Sequence, residues 1–301
     1  MTNALLLLPD FMLIVIGCVL CRLTLLNRSV WDGAEKLVYF LLFPVLLFGS
    51  IVRSPLQIGT AVAMLSAGVV VMLIGIALSL GIGRLPGVDA RLHASGAQTA
   101  FRFNSYIGLA LSERLGGSSG VALMALLIAV CVPLSNIAAV WPLARHGGHR
   151  FGRELLRNPL IVATVAGLVA NMCGLTFPEA VATTLQRIGN AALPLGLMAV
   201  GAGLIVGGLR DSPRLAVGFL TIRHAVLPLA ALALCSLLDL PPTERAMVVA
   251  FAALPTASSC YVLAARMGGN GPFVAGLVSL STLLGMASVP IWLAVLHNTA
   301  G

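Results

Sequence analysis

The sequence predicts an all-α polytopic membrane protein with ten transmembrane helices in two halves of five, the second an inverted repeat of the first, with helices 4 and 9 interrupted. Hydrophobic residues make up 59% of the 301 residues and charged residues only 9%, which is too little charge to cover a soluble domain of this size. Apolar runs of bilayer-spanning length recur along the chain. Two of them are broken by polar residues at corresponding places in the two halves.

The individual spans follow from these apolar runs and from the short loops between them. The first run has no Lys or Arg before it and no small-residue cleavage site, so it is interpreted as a retained first span and not as a secretory signal. The ten spans are predicted at residues 5–25, 35–53, 58–83, 94–115, 119–144, 157–175, 181–207, 213–238, 244–267 and 271–297.

The fourth and ninth spans are poorly suited to face lipid. Each carries polar or helix-breaking residues near its middle: Gln98, Thr99, Arg102, Asn104 and Ser105 in the first, and Pro255, Thr256, Ser258 and Ser259 in the second. In hydrocarbon each unsatisfied polar group is costly, so such runs survive only against protein or a water-filled cavity. Two interrupted spans at corresponding places indicate the binding site of a transporter.

The two halves correspond at a constant spacing. Pro44 corresponds to Pro194, and Ala100-Phe101 corresponds to Ala250-Phe251, both with an offset of 150 residues. Since each half has an odd number of spans, the second half enters the membrane from the opposite side. The predicted domains are therefore a first repeat at 1–145, a hinge at 146–156 and a second repeat at 157–301.

The basic residues predict the orientation. With the N-terminus outside, twelve Lys or Arg residues fall in cytoplasmic loops and three in outer loops, which places both termini on the external, periplasmic side and the hinge in the cytoplasm. Three arginines, Arg102, Arg187 and Arg223, fall inside apolar spans. Arg187 is expected to snorkel, and His224, beside Arg223, is expected at an interface. The basic residues form no continuous face, so the net charge of +8 does not indicate nucleic-acid binding.

Five stretches of the chain resemble the auxin efflux carrier family of permeases in its short bacterial form. They are NSYIGLAL at 104–111, RNPLIVATVAGL at 157–168, LPLGLMAVGAGL at 193–204, ALPTASSCYVLAARMGGN at 253–270 and STLLGMASVPIW at 281–292. The resemblance implies that helices 4 and 9 are unwound and cross near the middle of the membrane. It also implies a scaffold domain from helices 1, 2, 6 and 7 and a moving transport domain from helices 3, 4, 5, 8, 9 and 10. Family members carry organic anions such as auxin or malonate.

The fourth helix departs from the family pattern at two positions. Ala110 stands where the family usually has a proline, and Tyr106 stands where it usually has a small residue. The break in this helix is therefore expected to depend on Asn104, Ser105 and Gly108 and to be mild. Tyr106 is expected to narrow the site.

The predicted substrate-binding residues lie on the interrupted spans and on the fifth span. They are Arg102, Asn104, Ser105, Tyr106, Asn136, Pro255, Thr256 and Ser258. Guanidinium matches a carboxylate bidentately, and helix N-termini at a break favour an anion. For Arg102, a contact with inter-helix carbonyls or snorkelling stays open as the alternative. For Pro255, which removes a donor and frees a carbonyl near residue 251, a plain kink stays open.

No Asp or Glu lies in the middle of either interrupted span, which favours an anion carrier over a cation carrier. No nucleophile–base pair, phosphate-binding loop or metal-ligand cluster is recognisable, so no enzyme, cofactor or metal site is expected. The predicted function is a secondary transporter of small organic anions in the bacterial inner membrane, exporting by an elevator mechanism. A non-transporting ligand sensor and a sodium-coupled symporter of the bile-acid type are the alternatives. The expected partners are the anion and the lipid bilayer, and a homodimer stays open.

Overall fold

The described part of the computed structural model, residues 2–53, 58–143, 159–204, 209 and 212–299, is helical throughout apart from its loops and one isolated β-bridge. The predicted all-α class is confirmed there, whereas the predicted hinge at 146–156 lies outside the described residues. The α-helices are α1 Thr2–Leu23, α2 Arg28–Leu37, α3 Phe43–Arg53, α4 Ile58–Ile82, α5 Ala90–Gly96, α6 Ser105–Leu143, α7 Pro159–Met172, α8 Glu179–Asn190, α9 Ala192–Ala202, α10 Pro213–Thr221, α11 Leu227–Leu237, α12 Pro242–Ala253, α13 Ser259–Arg266 and α14 Gly271–Thr299.

Three short segments with other helical geometry continue these helices. A π-helical turn at Val38–Leu42 joins α2 to α3, and a second at Ile222–Val226 joins α10 to α11. A 3-10 turn at Ala97–Ala100 extends α5. In α6, Gly117 has φ +54° and ψ −144°, so this helix consists of two straight parts that meet at a kink. Glycine adopts this backbone conformation without steric cost.

Several helices are long and apolar enough to cross a membrane. Five such stretches lie within the described residues, at Arg28–Arg53, Thr60–Ile82, Ser105–Ala139, Pro213–Leu237 and Gly271–Asn298, with shorter apolar helices at Phe11–Leu23 and Val162–Met172. A span of hydrocarbon needs about 20 apolar residues in a helix. The chain is therefore a multi-pass membrane protein, and the count of ten spans and their inverted repeat stay predictions.

Helices α1 and α9 pack in direct backbone contact because each presents a glycine to the other. A Cβ atom on Gly17 would overlap the backbone of Met198, and a Cβ atom on Gly201 would overlap the carbonyl oxygen of Ile14. Small residues let helix backbones approach closely in a membrane. Gly17 and Gly201 therefore permit the close approach of α1 and α9.

The fourth predicted span is fully interrupted, and the expectation of a mild break is wrong. The chain leaves helical geometry at Phe101 and resumes it at Ser105, ahead of the position that the sequence indicated. Gly108 and Ala110 both lie inside α6, so the missing family proline has no bearing on the break. The second interruption runs from Leu254 to Ser258, between α12 and α13.

Candidate functional site: the crossing of the two interrupted helices

The two unwound segments meet and pair with each other. Phe103 and Thr256 form an isolated antiparallel β-bridge. The Asn104 amide donates to the Pro255 carbonyl (2.8 Å), and the Ala257 amide donates to the Arg102 carbonyl (3.2 Å). In this way backbone groups that lost their helical partners are satisfied inside the protein, as non-helical backbone at membrane depth requires.

A cavity of about 270 Å³ lies beside this crossing. It borders the first residues of α6 and of α13, so two helix N-termini, which carry positive partial charge, adjoin it. Six of the eight predicted site residues line it, namely Arg102, Asn104, Ser105, Tyr106, Asn136 and Ser258. The remaining lining residues are Tyr39, Phe103, Val132, Ser135, Leu160, Ala257 and Ser259.

Pro255 and Thr256 do not line the cavity. The Thr256 hydroxyl donates to the Thr99 carbonyl (2.7 Å), and the Thr256 amide donates to the Ser281 hydroxyl (2.9 Å). Thr256 thus holds the crossing together from the inside, and it is fully buried. Pro255 contributes its carbonyl to the crossing and packs beside Gly285. We correct the assignment of both residues from ligand contact to support of the crossing.

Arg102 is held in place by side chains. Its Nη1 donates to Oε1 of Gln98 (2.8 Å), and its Nη2 donates to the Ser259 hydroxyl (3.0 Å). Gln98 is itself fixed, since its Nε2 donates to the carbonyls of Ser95 and Cys260. Within the described residues, no carboxylate forms an ion pair with Arg102. Its guanidinium, which has five donors, therefore lines the cavity with its charge unpaired.

The side-chain oxygen of Asn104 is hydrogen-bonded, whereas its side-chain nitrogen has no hydrogen-bond partner among the described residues. Its Oδ1 accepts hydrogen bonds from the amides of Tyr106 (3.0 Å) and Ile107 (3.3 Å), which makes Asn104 the N-cap of α6. The residue is only 3% exposed, and its Nδ2 has no hydrogen-bond partner in the described part of the chain. Buried polar groups nearly always have a partner, so this donor points to a bound ligand or water.

Aromatic rings form one side of the cavity. The ring of Tyr106 packs against that of Phe43, with 4.7 Å between centroids, and Tyr39 lines the same space. Phe43 belongs to α3 and Tyr106 to α6, so this contact joins two different helices.

A second cavity, of about 560 Å³, adjoins the first. The two cavities share Tyr39, Tyr106, Ser258 and Ser259 as lining residues. The second cavity reaches the charged residues of α2, which are Arg28, Asp32, Glu35 and Lys36. Arg28 is paired there with Asp32 (2.9 Å) and Glu35 (3.0 Å). The second cavity thus lies between the cavity at the crossing and the charged residues of α2.

Arg223 has a role that its sequence context did not reveal, and His224 lies elsewhere than predicted. Arg223 is 1% exposed and donates to four backbone carbonyls, including that of Phe251 (3.0 Å), which Pro255 frees. The ring nitrogens of His224 lie 2.8 and 2.9 Å from the hydroxyls of Ser281 and Ser288, so it is an internal and not an interfacial residue. The position of an arginine inside an apolar span was the sequence signal that could have indicated the role of Arg223.

Comparison with known proteins shows the family of the chain. The model of the membrane transport protein family matches residues 143–293, which is half of the chain. The chain is therefore a membrane transport protein. It belongs to that family, the auxin efflux carriers that its motifs resemble.

Two relatives extend the comparison. A protein of Rhizobium meliloti (strain 1021), described as a "Putative malonate transporter", is 24% identical over 310 residues, covering 98% of this chain and 96% of the relative. A protein of Methanothermobacter thermautotrophicus, described as an "Uncharacterized transporter", is 29% identical over 150 residues, covering 50% of this chain and 49% of the relative.

Proposed function

We propose that the chain is a secondary transporter of small organic anions, with malonate and similar carboxylates as the substrate class. The observation that supports this most strongly is a pair of donor groups in one cavity. They are the guanidinium of Arg102, which forms no ion pair with a carboxylate among the described residues, and the buried Nδ2 of Asn104, which has no hydrogen-bond partner there. Both are donors that a carboxylate accepts. The relative described as a malonate transporter supports the same substrate class.

The charge of the cavity favours an anion over a cation. Among the described residues, none of those that line it is acidic, and one is an arginine. Helix N-termini and arginine together stabilise a carboxylate and repel a sodium ion, and a proton carrier would need a carboxylate that can be protonated. These features favour an anion carrier over the sodium-coupled alternative.

We further propose the division into a scaffold and a transport domain. In the predicted inverted repeat of ten spans, α1–α3 and α7–α9 form the scaffold, and the helices that carry the crossing move against it. The close glycine contact of α1 with α9 supports a rigid scaffold. The contact of Tyr106 with Phe43 lies between the two proposed domains, so it breaks and re-forms during an elevator movement.

Export is the proposed direction. A negative cell interior drives an anion outward with about 2.3 kcal/mol per charge per 100 mV. The distribution of Lys and Arg supports a cytoplasmic position for the start of α2. The second cavity then opens to the cytoplasm, from which an exported anion enters. In this orientation both termini are on the periplasmic side of the inner membrane.

Flux of labelled malonate in liposomes tests the proposal. Purified protein is reconstituted into liposomes, and the liposomes are loaded with ¹⁴C-malonate. Efflux is then measured with and without an imposed membrane potential and with sodium or choline as the cation. We expect malonate efflux that a negative interior accelerates and that does not require sodium. The variant Arg102→Gln should lose most of this flux, and Arg187→Gln, on the exposed face of α8, is the matched control.

Three outcomes would contradict parts of the proposal. Flux that requires sodium would favour the symporter, and binding of malonate without any flux would favour a sensor. Equal flux in Arg102→Gln and the control would show that Arg102 has no role in the site.

A further inference from the structure

Arg223 is a buried cation that the proposed transport cycle does not use. It lies in the π-helical turn between α10 and α11 and is 1% exposed. Its guanidinium donates to the carbonyls of Leu254 (2.6 Å), Ala252 (2.9 Å), Phe251 (3.0 Å) and Phe101 (3.3 Å). In the described part of the chain no carboxylate forms an ion pair with it.

These four carbonyls belong to the C-terminal ends of both interrupted helices. Phe251 and Ala252 lie in the last turn of α12, and Leu254 directly follows it. Phe101 directly follows the 3-10 turn that ends α5. The last carbonyls of a helix lack intrahelical partners and carry negative partial charge. One arginine thus binds the negative ends of two helices that cross.

The neighbours of Arg223 keep this turn in place. Trp292 Nε1 donates to the His224 carbonyl (2.7 Å), and the His224 ring lies between the hydroxyls of Ser281 and Ser288. Ser281 also accepts a hydrogen bond from the Thr256 amide. The turn that carries Arg223 is therefore tied both to α14 and to the second unwound segment.

The crossing brings together four helix ends whose charges would otherwise cancel. The N-terminal ends of α6 and α13 adjoin the cavity and each carry roughly half a positive charge, while the two C-terminal ends each carry roughly half a negative charge. The single positive charge of Arg223 offsets the two C-terminal ends. The two N-terminal ends and Arg102 then remain as uncompensated positive charge for an anion.

We propose that Arg223 is a positioning residue for the anion site. It holds the C-terminal ends of both interrupted helices together, and it offsets their negative charge so that the crossing attracts anions. Because the Phe101 carbonyl directly precedes Arg102 in the chain, the same bond also fixes the segment that carries the Arg102 guanidinium. This inference rests on the proposed anion site, but its test does not depend on which anion is carried.

The test compares how fast anionic and cationic thiol reagents reach the cavity. Ser258, which is exposed and lines both cavities, is replaced by cysteine in a background in which the exposed Cys173 is serine. The reaction rates with methanethiosulfonate ethylsulfonate and with methanethiosulfonate ethyltrimethylammonium are measured on purified protein. The background without the introduced cysteine corrects for the remaining cysteines.

We expect Arg223→Met to lower the ratio of anionic to cationic rate by at least about tenfold, which corresponds to about 1.4 kcal/mol. Arg187→Met, the matched control on the exposed face of α8, should leave the ratio unchanged. Guanidinium ions at millimolar concentration should partly restore the ratio in Arg223→Met, because they can occupy the vacated position among the carbonyls. Arg223→Lys keeps the charge but has fewer donors. Its ratio of anionic to cationic rate should therefore lie between that of the protein with Arg223 and that of Arg223→Met.

The outcomes separate this inference from the proposed function. An unchanged ratio in Arg223→Met would overturn the role of Arg223 while leaving the anion site intact. A protein with Arg223 in place that shows no preference for the anionic reagent would overturn the anion site itself. If Arg223→Met does not fold, Arg223→Lys decides in its place, and an unchanged ratio there overturns the inference. Failure of both variants to fold would also overturn it, because Arg223 would then be required for the fold alone.

Discussion

The variant Asn104→Asp separates ligand binding from the stability of the crossing. Asn104 caps α6 through Oδ1, while its buried Nδ2 has no partner in the described part of the chain. Asp caps a helix as well as Asn does, and its charge is favourable at a helix N-terminus. The variant therefore keeps the cap but replaces the unpaired donor by an anionic acceptor. Its thermal stability should stay within about 1 kcal/mol of the unmutated protein.

The effect on anion binding should be much larger. A hydrogen bond to a charged group contributes about 1.5–3 kcal/mol, which corresponds to about 10- to 150-fold in Kd. The new carboxylate also repels the anion and competes for the guanidinium of Arg102, which lines the same cavity. We therefore expect malonate affinity to fall at least about 100-fold.

Calorimetric titration of malonate into detergent-solubilised protein measures this affinity, and thermal unfolding measures the stability of the same samples. Asn136→Asp is the control, since it makes the same chemical change in the same cavity and adds repulsion without removing the unpaired donor of Asn104. Its affinity should fall less. The reasoning would be refuted by Asn104→Asp binding malonate within about threefold of the unmutated protein (~0.7 kcal/mol), or by an equal loss in Asn136→Asp.

Three further predictions concern topology, specificity and packing. An impermeant thiol reagent added from outside should label a cysteine at position 300 and not one at position 148, and the reverse pattern would contradict the predicted orientation. Tyr106→Ser should admit larger, aromatic carboxylates to the cavity, because it removes a ring that lines it; unchanged competition by phenylacetate against malonate flux would argue against this. Gly201→Ala should destabilise the protein by at least about 1–3 kcal/mol, since the added methyl overlaps backbone of α1. The control Gly33→Ala, where a Cβ meets nothing within 4 Å, should not destabilise the protein. Equal melting temperatures of the two glycine variants would disprove the contact between α1 and α9.

Much of the architecture could be predicted because it depends on local composition. Burial of apolar runs in lipid is a property of each segment, so hydropathy and length alone predicted the helices. The two interruptions were predicted on the same ground, since polar residues and a proline cannot be satisfied in a lipid-facing helix. The gathering of Arg102, Asn104 and Ser105 at one cavity also follows from sequence, because they are adjacent in the chain and lie at one helix break.

Sequence reasoning failed where a polar group has a choice of partners. Thr256 and Ser258 are two residues apart, yet Thr256 is buried against Thr99 and Ser281 while Ser258 lines the cavity. In a regular extended segment, residues two apart lie on the same face, so alternation would not separate these two side chains. They diverge because Thr256 pairs with Phe103 while Ser258 lies in the turn that leads into α13. No local pattern specifies that pairing.

The sequence by itself thus determined the class of protein, the helical segments and the two spans that are interrupted, because transfer of each segment into lipid depends on its own residues. Only the tertiary structure decided how the breaks are satisfied. The acceptors of Arg223 lie 28 to 122 residues away along the chain, and the unpaired donor of Asn104 is recognisable only once every neighbour is in place. A buried hydrogen bond is a relation between distant groups, so it is fixed by the packing of the whole chain and not by any one segment.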